Sequence, residues 1–96
     1  MSGVFEALSS SIRREIIAML KEKDMSAGEI ADQLDISKST LSGHFNVLKS
    51  AGLVVSDRSG TTIIYSLNTS VVEELIGDLM SLFYKEKTDK NMNVGD

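Results

Sequence analysis

The chain has 96 residues, a length that fits one compact domain, and 42% of them are hydrophobic, which predicts a folded core rather than disorder. A domain this small buries a limited share of its surface and gains from pairing with a second copy. It contains no cysteine, which excludes disulfides and thiolate metal sites, and its formal net charge of −4 argues at first against a nucleic-acid partner.

Proline is absent, so caps and glycines have to mark the element boundaries. Val4, Phe5 and Leu8 predict a short first helix. Ile12, Ile16, Ile17, Met19 and Leu20 give a second, from about Ser11 to Lys21, a broad apolar face. Lys23-Asp24 breaks it. Ser26 then opens a third helix with a capping box, since Glu29 stands three residues on. Ala27, Ile30, Ala31 and Leu34 form its inner stripe. Asp35-Ile36-Ser37 is a break, and Ser37 is a good N-cap for a fourth helix. Leu41, Phe45 and Leu48 share that helix's inner face, and Gly52 falls where a left-handed residue ends it.

The period then changes to two. Val55 to Arg58 and Thr62 to Leu67 read as strands, with Ser59-Gly60 as the turn and Ile63, Tyr65 and Leu67 on one face. Ser70 and Glu73 make a second capping box, opening a last helix to about Tyr84. Residues 1–85 thus form the domain, and the polar stretch 86–96 reads as a flexible tail. The fold class is mainly α with a β-hairpin wing, in the order α-α-α-α-β-β-α. Two helices joined by a three-residue turn, with a hairpin after them, define a winged helix-turn-helix.

Charge is unevenly spread. Residues 37–67 carry Lys38, Lys49 and Arg58 against Asp57 alone, whereas four basic residues face seven acidic ones before them and three face six after. With Leu41, Phe45 and Leu48 turned inward, the fourth helix shows Lys38, Ser39, Ser42 and Gly43 outward, and Thr40 and His44 toward the edges. None is acidic, and all but the glycine can donate a hydrogen bond. A major groove admits one helix and offers mainly acceptors. Lys38 and the hydroxyls near the helix start suit phosphates, and Gly43 lets backbone approach closely. His44 either donates to a base or phosphate or is an exposed polar residue. Arg13 and Arg14 either approach phosphates or pair with Glu15 or Glu29. Arg58 either touches minor-groove phosphates or packs structurally. The last helix is apolar around more than half its circumference, wider than the stripe that one-sided packing needs. That surplus, joined by Phe5 and Leu8, predicts a second covered surface.

The run from Asp24 to Val54 resembles the helix-turn-helix core of the ArsR-type (arsenic-repressor-like) regulators. Phe5 to Ser9 and Arg13 to Ile16 upstream match too, as do Ser59-Gly60 and Ile64 to Leu67 downstream, so the likeness covers about residues 4–83. The resemblance implies a dimeric bacterial repressor, acting on its own operon, that binds double-stranded operator DNA of pseudo-palindromic sequence. On the family's pattern Ser37, Lys38, Ser39, Thr40, Ser42, Gly43 and His44 read DNA. Arg58, Ser59, Thr61 and Thr62 match its wing, where Thr61 replaces a common basic residue. Val4, Phe5, Leu8, Leu75, Leu79, Leu82 and Phe83 are expected at the dimer interface. Ser26, Ala27 and Gly28 stand where metal-sensing members carry Cys-Val-Cys, and the histidine-acid cluster of the last helix is missing. The expectation is therefore no metal, no cofactor, and control by a sequestering protein partner or by no small effector.

No apolar run reaches membrane-spanning length and the first residues do not read as a signal peptide, so a cytoplasmic protein without membrane insertion is expected. No carboxylate pair, Ser-His-Asp order or phosphate loop points to an enzyme. The alternative reading is a winged-helix protein–protein interaction module without DNA binding, which the acidic balance favours.

Overall fold

A computed structural model describes residues 3–95, with side chains from Gly3 to Phe83. The elements run α1 (Val4–Leu8), α2 (Ser11–Glu22), β1 (Met25–Ser26), α3 (Ala27–Leu34), α4 (Lys38–Ser50), β2 (Val54–Ser59), β3 (Thr62–Leu67) and α5 (Thr69–Gly95). The winged helix-turn-helix order is as expected, with one addition. Met25 and Ser26 pair with Tyr65 and Ile64, so the wing hairpin is part of a three-stranded antiparallel sheet in the order β1-β3-β2.

The core forms where the apolar stripes of the helices meet. Ile16 and Leu20 of α2, Ile30 and Ala31 of α3, and Leu41, Phe45 and Leu48 of α4 are buried, with Ala7, Met25, Leu53 and Val54 around them. Each large side chain here contributes roughly 1.5–3 kcal/mol by leaving water. Tyr65 and Leu67 bring the sheet onto this core, and Val71 and Val72 bring α5.

Caps set the boundaries. The Ser10 hydroxyl accepts from the Arg13 N–H and starts α2, so the Ser10-Ser11-Ile12 link is a capped junction. The Ser26–Glu29 capping box is complete in both directions. Gly52 ends α4 at φ 79°, the left-handed region that glycine enters at no steric cost. Behind it the Leu53 N–H reaches back to the Leu48 carbonyl, closing the helix end.

Two expectations for the last helix are corrected. It opens at Thr69 rather than behind a Ser70 cap, because the Asn68 carbonyl already accepts from the Val72 N–H while the Asn68 N–H is tied to the Leu53 carbonyl. It also runs past Tyr84 to Gly95. Lys85, Glu86 and Lys87 are good helix formers, and no glycine interrupts the stretch between Gly77 and Gly95. Among the described residues, no helix is long and apolar enough to cross a membrane.

Candidate nucleic-acid interface

The turn between α3 and α4 fixes how α4 leaves the core. Asp35 takes φ 56°, the one non-glycine residue with positive φ among those described. Aspartate tolerates this region better than most side chains do. The Ile36 N–H then bonds back to the Ala31 carbonyl. Ser37 caps α4, its hydroxyl accepting from the Thr40 N–H at 3.1 Å and donating to the Thr40 hydroxyl at 2.9 Å. Its single proton is thus committed locally, which makes Ser37 a cap first and a ligand-facing group second. The Ser39 hydroxyl lies 3.2 Å from that of Ser37.

Lys38, Ser39, Thr40, Ser42 and Gly43 are exposed on the outward side of α4. No acidic residue occurs anywhere in this helix. Asn46 is exposed as well and continues the series 39, 42, 43, 46 along one face. Asn46 lies beyond the expected segment Ser37 to His44, although helical spacing alone places it beside Ser42 and Gly43. A Cβ added at Gly43 would meet nothing within 4 Å, so nothing within the chain requires glycine there.

His44 is half-buried at the edge of this face. Its Nδ1 lies 3.2 Å from Nη1 of Arg13. Burial, and then the Arg13 cation, hold its pKa below the ordinary histidine value. Arg13 also donates from Nε to the Ala7 carbonyl at 2.8 Å and from Nη2 to the Glu6 carbonyl at 3.0 Å. Arg14 donates to the Leu8 carbonyl at 2.7 Å. The paired arginines, read as phosphate ligands or partners of Glu15 or Glu29, instead cap the C-terminal end of α1. That helix is too short to satisfy its own last carbonyls.

An aromatic stack joins the central strand of the wing to α4. The rings of Phe45 and Tyr65 stack in parallel with centroids 3.7 Å apart. Ser59 pairs with Thr62 across a two-residue turn, so the turn is centred on Gly60-Thr61, one residue later than expected. Gly60 supplies φ 66° at the first central position, as a hairpin turn of the II′ type needs. Arg58, Ser59, Thr61 and Thr62 are exposed on this hairpin, and Arg58 lies opposite Ile63. Between the wing tip and the starts of α3 and α4 lies an open groove of about 330 Å³ lined by Ser26, Gly28, Lys38 and Thr62 among others.

An apolar surface on α5 and α1 is uncovered. Ile76, Leu79, Met80, Leu82 and Phe83 of α5 are exposed, as is Phe5 of α1 at 72%. Of the residues expected at an interface, Val4 and Leu8 are instead half-buried against the chain's own core, and Leu75 is half-buried. Phe5, Leu79, Leu82 and Phe83 stand free among the described residues. Val71 and Val72 are the α5 side chains that pack on the core, so the surplus apolar face is real surface rather than a deeper monomer core.

A capped, acid-free helix presented outward behind a tight turn, with a hairpin beside it, defines a winged helix-turn-helix transcription regulator. Residues 10–56 match the model of the bacterial regulatory proteins of the arsR family. The chain is 42% identical to the transcriptional repressor SdpR of Bacillus subtilis, over 93% of this chain and 99% of that protein. It is 31% identical to the transcriptional activator HlyU of Vibrio cholerae, over 83% of this chain and 74% of that one. Among solved structures, an ArsR-like transcriptional regulator from Rhodococcus sp. RHA1 superposes with a TM-score of 0.80 at 31% identity, covering 88% of this chain and 77% of its own. The HlyU structure from Vibrio cholerae superposes at 0.70 and 31% identity, covering 83% of this chain and 87% of its own. The chain belongs to the ArsR family, and it is a regulator rather than an enzyme.

Proposed function

We propose that this protein is a homodimeric repressor that binds a pseudo-palindromic operator in its own control region and does so without sensing metal. The reading rests on the outward face of α4. From Lys38 to Asn46 every exposed side chain carries a donor, none carries a negative charge, and Gly43 leaves room for close backbone approach. Ser39, Ser42, His44 and Asn46 read base edges, Lys38 and the open N–H groups at the helix start take phosphate, and Arg58 with Thr61 and Thr62 follows the backbone from the wing. Repression rather than activation is favoured by the likeness to SdpR over nearly the full length of both chains.

The dimer places two recognition helices in successive major grooves, about 34–36 Å apart. Phe5, Leu79, Leu82 and Phe83 are the apolar groups that a second copy covers. The chain has no cysteine and a single histidine, a donor set too poor for the metal sites that thiolates or histidine clusters build. Control by a sequestering protein partner fits that poverty, and so does a place in the cytoplasm.

Fluorescence anisotropy with DNA from upstream of the protein's own reading frame tests the reading. Sequence-dependent binding is expected, lost on Ser42→Ala with His44→Ala while the dimer stays intact. The three basic residues of the 37–67 segment give about six phosphate neutralisations per dimer, hence a log–log salt slope no steeper than about −5. Absence of sequence-dependent binding at modest salt would leave the protein-interaction module as the better reading.

A further inference from the structure

We propose that Arg13 is a positioning residue for DNA recognition: its guanidinium spans from the end of α1 to Nδ1 of His44 and holds that imidazole as the tautomer whose one outward donor is Nε2–H. The proposal rests on the reading of α4 as the recognition helix.

The argument begins with donors and acceptors. A guanidinium has five N–H donors and no acceptor. The group 3.2 Å from Arg13 Nη1 must therefore offer a lone pair, so Nδ1 of His44 is unprotonated. The ring proton of the neutral imidazole then sits on Nε2. Arg13 is itself fixed, because Nε and Nη2 are taken by the carbonyls of Ala7 and Glu6. Three partners, one on each guanidinium nitrogen, suit the rigid fork of arginine, which a lysine ammonium does not reproduce. Burial and the Arg13 cation both favour the neutral ring. An imidazolium would instead turn an Nδ1–H toward the Arg13 N–H, donor against donor.

The consequence for recognition is a defined polarity at the edge of the reading face. With Nδ1 occupied from behind, His44 meets DNA only as a donor. That matches phosphate oxygens and guanine O6 or N7, and it mismatches the amino groups of cytosine and adenine. The same fork ties His44 to α1, whose Phe5 lies on the proposed dimer surface. The orientation of His44 therefore depends on an element that pairing would also engage.

His44 is the single histidine of the 96 residues, so its two ring nitrogens are their only imidazole signals in a long-range ¹H–¹⁵N spectrum. At neutral pH we expect one protonated nitrogen, Nε2, and one acceptor, Nδ1. Arg13→Met is expected to mix the tautomers, to raise the His44 pKa and to weaken upstream DNA binding about fivefold, the scale of one hydrogen bond. It should cost nothing further in a His44→Ala background. Arg13→Lys, which keeps the charge and the helix propensity, should recover no more than part of that loss, and it serves if Arg13→Met does not fold. A proton on Nδ1 in the wild-type protein overturns the proposal. So does an Arg13 effect of equal size with and without His44, which would place Arg13 on a phosphate instead. Wild-type protein that binds no DNA sequence-dependently defeats the recognition-helix reading itself, whereas normal wild-type binding with an additive cycle defeats the Arg13 role alone.

Discussion

Phe45 and Tyr65 lie ring on ring, 3.7 Å apart and within 3° of parallel, and they join α4 to the central strand of the wing. Phe45 is 2% exposed on the inner face of α4, and Tyr65 sits on the central strand between Ser56 on one side and Met25 on the other. The stack adds to the pairing of β3 with β1 and to the burial of Val54 in fixing the hairpin against the helices.

Phe45→Ala is therefore expected to destabilise the domain by about 3–5 kcal/mol, the usual cost of emptying a buried aromatic site. Tyr65→Phe keeps the stack and should stay within about 1 kcal/mol of wild type. Urea melts of both variants check this. Equal losses would show that the hydroxyl of Tyr65, not its ring, holds the wing.

Gly43→Ala separates folding from binding. Alanine is favoured over glycine within a helix by about 1 kcal/mol, and the added Cβ meets nothing in the chain. The variant should melt at higher temperature yet bind operator DNA less tightly, because the methyl group intrudes on the close approach. Unchanged affinity together with a raised Tm would remove Gly43 from the contact surface.

Acid should weaken the fold in two separate windows. The folded pKa of His44 lies below its ordinary value of 6.5, so the unfolded chain takes up a proton first. The stability His44 contributes is complete above pH 6.5 and is lost as the pH falls through the folded value. Glu29 is held below its ordinary 4.5, first by the backbone N–H of Ser26, so its contribution is complete above pH 4.5 and lost at lower pH. Denaturant midpoints measured from pH 7.5 to 3.5 should show both steps. His44→Asn should flatten the upper one and Glu29→Gln the lower.

The apolar side of α5 should govern assembly without governing folding. Leu82 and Phe83 are 67% and 64% exposed in the single chain, so Leu82→Ser with Phe83→Ser removes little from the core. Sedimentation is expected to show monomers, and operator affinity should fall at least tenfold once the two half-sites are read separately. A dimer that survives the pair of substitutions would move the interface elsewhere.

The helices and their order were legible because the signals that make them are local. Ser26 with Glu29, and Ser37 before Lys38, act over three residues, and Gly52 acts on its own φ. The inward set Leu41, Phe45 and Leu48 fixed the outward one by helical periodicity alone. Periodicity also exposed the apolar surplus of α5.

Other features depend on groups far apart in sequence, and no local rule reaches them. The two-residue strand Met25–Ser26 exists because Tyr65 and Ile64 present a free edge to it. The start of α5 is set by the hydrogen bond from Asn68 to Leu53, against which a good capping box at Ser70 loses. Arg13 offered several plausible partners in the sequence. Folding gave it the bare carbonyls of α1 and, across 31 positions, the lone pair of His44. Sequence by itself determined which side chains face outward, because a helix has one period. Only the tertiary structure decided how those side chains are held and in which protonation form, because that depends on which unsatisfied donors and acceptors meet in space.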